Sequence, residues 1–115
     1  MRMLQAGIVA LALGVLPTSE SVSVEMYLSG NDLHEECRPT ARGSLCTGYI
    51  LGVADAMQGY TALGEWRMCS SKNVNSVQVV DVVKAFLTAH PEIRHFAAAS
   101  LVAKALAEAF PCPPR

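Results

Sequence analysis

Three segments of the chain repeat apolar residues at three- and four-residue steps, the period of a helix with one buried face. In the first, Cys46, Tyr49, Ile50, Val53, Met57 and Tyr60 share a side, and Ser44 stands at the capping position. This predicts a helix from Ser44 to about Tyr60. The second segment carries Val79, Val80, Val83, Phe86 and Leu87. Its valines would suit a strand. Asn75 or Ser76 as a cap, Gln78 in place for a capping box, and the three- and four-residue spacing decide for a helix. The third segment predicts one continuous helix from about Pro91 to Phe110. Ile93, Phe96, Ala97, Leu101, Lys104 and Ala105 lie along one side, and Ala99, Ala103, Leu106 and Phe110 beside them. It is rich in alanine, which favours helix, and Pro91 suits a first helical position while disfavouring helix at His90. A shorter stretch, "SGNDLHEEC", holds a helix start, with Asn31 or Asp32 as cap and acidic residues at the positive end of the helix dipole. "RPTARG", Arg38 to Gly43, reads as a turn, and Gly59 to Asn73 as a loop without periodicity. The fold predicted is all-α, a small bundle of about four helices.

Two glycines interrupt the first periodic segment. Gly48 and Gly52 each cost about 1 kcal/mol against alanine in a helix interior. With Ala56 and Gly59 they form a stripe of small residues, which predicts a close crossing by a neighbouring helix. Asp55 sits deep in the same helix. Its expected role is structural, bonded to a neighbouring backbone or paired with Arg94 or Lys104.

The N-terminus changes the domain picture. Arg2 precedes an apolar run from Met3 to Leu16, ended by Pro17 and small polar residues. The run falls short of the roughly 20 residues a membrane span needs. It reads as a secretory signal peptide over residues 1–21, leaving residues 22–115 as the helical domain. All four cysteines, Cys37, Cys46, Cys69 and Cys112, lie in that domain. An even count in a short exported chain reads as a disulfide framework. No C-x-x-C pair and no histidine at zinc-finger spacing is present, so neither a redox centre nor a metal site is expected. Short connections make successive helices antiparallel. Cys37 and Cys46 then fall at one end of the bundle, Cys69 and Cys112 at the other, and pair accordingly.

Charge and motifs narrow the function. The net charge is −1 and the basic residues are scattered, which gives no footprint for nucleic acid or an anionic membrane. No nucleophile elbow, H-E-x-x-H or phosphate loop occurs. His90 and His95 are not spaced as a metal pair. His90 serves the helix boundary, and His95 a surface or rim contact. His34, Glu35 and Glu36 are consecutive, do not face one another on a helix, and read as a solvated face. No catalytic residue and no cofactor is expected. Trp66 and Arg67, in the loop from Gly59 to Met68, are residue types that dominate binding hot spots. They are the candidate partner-binding residues, with Trp66 as a cover for the bundle end as the alternative.

Together, "SGNDLHEEC", "CTGYILGVADAM", the isolated Cys69 before "VNSVQVVDVVKAFLTAHPE", and "RHFAAASLVAKALAEAFPCP" resemble the type VI amidase immunity proteins, the Rap/Tai immunity domain. The resemblance spans about Tyr27 to Pro113. By position, Cys37, Cys46, Cys69 and Cys112 match the family's cysteines, Gly48, Tyr49, Gly52 and Asp55 its helix motif, and His90 and Pro91 its H-P-E turn. The resemblance implies a small periplasmic α-helical protein that binds and blocks a cognate peptidoglycan amidase delivered by type VI secretion. Members are often dimeric, which makes a homodimer a further expectation. The shared pattern names no toxin-contacting residue. A general periplasmic helper, such as an acid-stress chaperone, is the alternative function.

Overall fold

A computed structural model describes residues 26–39, 44–58 and 65–114. The expected signal segment, most of the Arg38–Gly43 turn, and Gly59 and Tyr60 lie outside these residues. Among the described residues there are four α-helices and one 3₁₀ turn: α1 (Gly30–Glu36), α2 (Leu45–Met57), α3 (Ser76–Ala89), the turn Pro91–Ile93, and α4 (Ala98–Ala109). Each helix packs against the other three. Leu33 of α1, Ile50 and Met57 of α2, Val83 and Leu87 of α3, and Val102 and Leu106 of α4 are fully buried at their shared centre.

The helix starts follow from their sequence. Asn75 caps α3 in the predicted capping box: its Oδ1 accepts from the Gln78 N–H at 2.9 Å, and Gln78 Oε1 accepts from the Asn75 N–H at 2.9 Å. α1 has the same device, but its cap lies two residues before Asn31, the nearer of the two expected caps. Ser29 is the cap, and Asp32 returns the bond from the third helical position. Ser44 precedes α2 but its side chain makes no capping bond.

The predicted long fourth helix is divided. Pro91 opens a single 3₁₀ turn, residues 94–97 leave the helix, and α4 begins at Ala98. The cause is tertiary. Arg94 O accepts from Asn31 N–H at 2.7 Å, Phe96 O accepts from Gly30 N–H at 2.8 Å, and Ala98 N–H donates to Leu28 O at 2.9 Å. These carbonyls and this amide serve the chain entering α1, and the local preference for helix yields to them. Phe96, expected on the buried side of the helix, is 51% exposed as a result.

Both cross-links are as predicted. Cys37–Cys46 joins the end of α1 to the start of α2, and Cys69–Cys112 ties the segment before α3 to the chain after α4, with Cα–Cα distances of 5.0 and 4.8 Å. The close backbone approach, however, is at Gly30 rather than at the α2 glycines. A Cβ on Gly30 would lie 2.8 Å from Arg94 O. Gly48 and Gly52 are exposed, and among the described residues nothing lies within 4 Å of where their Cβ atoms would be. The expected tight helix crossing over that stripe is not formed by α1, α3 or α4. Those helices pack on the opposite side, through Cys46, Ile50, Ala54 and Met57.

Candidate functional site

The division of the fourth helix shapes a prominent surface feature among the described residues. With residues 94–97 forming a turn and bend ahead of α4, the side chains of Ile93 and Phe96 stand beside those of Ser100, Leu101 and Lys104. Trp66 and Met26 close the other walls of a mainly apolar groove of about 480 Å³. Trp66 is half-buried and packs on the core, so it covers the bundle and lines the groove at once. Met26 is 46% exposed. An apolar recess that keeps aromatic and thioether side chains in water is the kind of surface a protein partner covers.

Several contacts fix Trp66 in place. Two residues on, Met68 is fully buried, and its amide donates to Met57 O at 3.2 Å. The Cys69 amide then donates to Phe110 O at 2.9 Å, next to the disulfide to Cys112. The segment is therefore pinned to the ends of both α2 and α4. Lys104 Nζ lies 5.9 Å from the Trp66 ring centroid and 2.6 Å from Glu108 Oε1. The cation sits over the aromatic face while its carboxylate partner holds it from one helical turn further along α4. At the other wall, His95 is exposed and its ring lies 4.2 Å from that of Phe96. It is a surface residue, one of the two positions expected of it, and is not itself a wall of the groove. Arg67 is half-buried and is not one of the groove's walls, so the structure brings only Trp66 of the two predicted binding residues to this site.

The motif residues stand apart from the groove's opening. Tyr49 is half-buried on α2. Burial pushes its phenol up, and the Ala99 backbone amide, at the start of α4, partly offsets this. His90 ends α3: its amide donates to Phe86 O at 3.1 Å, its ring lies 4.4 Å from the Phe86 ring, and Nδ1 lies 3.3 Å from Glu92 Oε1. Pro91 occupies the first position of the 3₁₀ turn. Asp55 departs from expectation. It is exposed, and neither proposed partner reaches it: Lys104 pairs with Glu108, and Arg94 Nη1 donates to Leu87 O at 3.2 Å.

The three histidines are not gathered. His34 is half-buried rather than solvated, at the seam of α1 and α3. Among the described residues no group of three or more His, Cys, Asp or Glu side chains is placed to hold a metal.

What remains is a cross-linked helical scaffold presenting one apolar face. The sequence profile of the Rap1a immunity proteins matches residues 29–112. The chain belongs to the Rap1a immunity protein family. The Rap1a match opens at Ser29, the cap of α1, and closes at Cys112, so it takes in all four helices and both disulfides. Met26, at one wall of the groove, lies just before the part shared with other Rap1a proteins. No curated protein matches the chain.

Proposed function

We propose that this protein is a periplasmic immunity protein that binds and inhibits a cognate peptidoglycan amidase delivered by type VI secretion. Membership of the Rap1a immunity family over residues 29–112 is the observation that carries this reading. Two cross-links and the signal-like N-terminus agree with an oxidising compartment. The inhibitory surface is the groove between Trp66 and Phe96. Blocking a catalytic cleft by binding requires desolvable apolar area held on a rigid scaffold, and no chemistry from the inhibitor itself. The protein acts as a binder, not an enzyme.

The test is an amidase assay. Purified, disulfide-intact protein is titrated into the amidase encoded beside its gene, with peptidoglycan hydrolysis as the readout. The reading predicts that hydrolysis is lost near one equivalent. Unimpaired hydrolysis with a folded immunity domain in excess contradicts it.

A further inference from the structure

A second pocket lies on the seam between α1 and α3, apart from the Trp66 groove. It has a volume of about 250 Å³ and is walled by His34, Cys37, Arg38, Pro39, Lys84 and Thr88. Three of these six walls are basic side chains and none is acidic. In a chain whose net charge is −1, with basic residues scattered along the sequence, this convergence is a product of the fold. We propose that this pocket binds a single oxyanion group, a carboxylate or a phosphate, between His34, Arg38 and Lys84.

The hydrogen-bonding capacity is available. Arg38 uses Nη1 on Glu35, at 2.7 Å, which leaves further guanidinium donors. Among the described residues Lys84 Nζ has no ion-pair or hydrogen-bond partner, and the Thr88 hydroxyl adds a neutral donor to the wall. Asp81, one turn before Lys84, is exposed and lines a different pocket. Behind His34 stands Arg94, whose Nη1 is given to Leu87 O and whose buried Nε has no partner. The imidazole feels burial first and this positive charge second. Burial, then Arg94 and Arg38, hold its pKa below the ordinary 6.5, against an opposing contribution from Glu35. An anion in the pocket would oppose the contribution of the two arginines, because an opposite charge close to a titrating base favours its protonated form.

NMR titration of the histidine rings tests this on the disulfide-intact protein. Three buffers of equal ionic strength are compared: sodium chloride, sodium acetate and sodium phosphate. Acetate or phosphate is expected to raise the His34 pKa by about 1 unit relative to chloride, while exposed His95 moves little. A response to acetate alone assigns a carboxylate, and a response to phosphate alone assigns a phosphate. Lys84→Gln is expected to weaken that response several-fold, with an unchanged melting temperature. Equal behaviour of His34 and His95 in all three salts overturns the proposal. So does a full anion response in Lys84→Gln.

Discussion

Gly30 is the position where the bundle has no room for a side chain. It opens α1, is buried, and its absent Cβ would meet Arg94 O at 2.8 Å and the side chain of Leu101. The neighbouring Asn31 and Gly30 amides hold that same backbone segment by hydrogen bonds of 2.7 and 2.8 Å, so the segment cannot retreat cheaply. Gly30→Ala is therefore expected to destabilise the protein by about 1–3 kcal/mol, measured by urea unfolding. Gly52 has the opposite environment. It is exposed in mid-helix with open space around it among the described residues. Gly52→Ala is expected to raise stability by up to about 1 kcal/mol through helix propensity; a lower urea midpoint would contradict this. The two glycines look alike in the sequence. What separates them is which backbone lies opposite, and that depends on residues more than 60 positions away at Gly30. Nothing local announces it.

At the scale of elements, the α3 cap and the cysteines were legible, the caps of α1 and α2 were not, and the fourth helix was legible only in part. Asn75 with Gln78 is a local signal, and it appears as read. Periodicity placed Val79, Val80, Val83 and Leu87 in the core, where they are. The cysteine pairing followed from helix order alone. The alanine-rich stretch misled because propensity near residues 94–97 competes with hydrogen bonds to the chain around Leu28 to Asn31, which no window over the fourth helix contains. The Cys69–Cys112 bridge supports this arrangement. It closes a loop of sequence separation 43 over α3 and α4. On the chain-entropy account its loss costs on the order of 4 kcal/mol. The paired variant Cys69→Ser with Cys112→Ser is expected to unfold at correspondingly lower urea. It should also loosen Trp66, which lies three residues before Cys69, as seen by a red shift of tryptophan fluorescence before global unfolding. An unchanged midpoint would show that the bridge adds nothing to stability.

At the scale of the whole molecule, the groove is where the local departures meet. The broken helix supplies Phe96, the pinned segment supplies Trp66, and α4 supplies Leu101 and Lys104. The sequence pointed to Trp66 through its residue type and its place in a loop, and to Phe96 not at all, because a continuous helix would have kept Phe96 on the same face as Ile93 and Leu101. If the groove is the inhibitory face, Trp66→Ala is expected to weaken effector binding by about 2 kcal/mol or more. Part of that loss would come from the core contacts Trp66 also makes, so it does not isolate the face.

Phe96→Ala gives the most direct measurement, because Phe96 is 51% exposed and its truncation removes groove surface without opening the core. The comparison is Val77→Ala, which is 66% exposed on α3 and outside the groove. Dissociation constants for the cognate amidase would be measured by calorimetry for both variants and the wild type. The account predicts that Phe96→Ala weakens binding by about tenfold or more, equivalent to about 1.4 kcal/mol, and that Val77→Ala leaves it unchanged. Wild-type affinity in Phe96→Ala, with or without a loss in Val77→Ala, would contradict the groove as the inhibitory face.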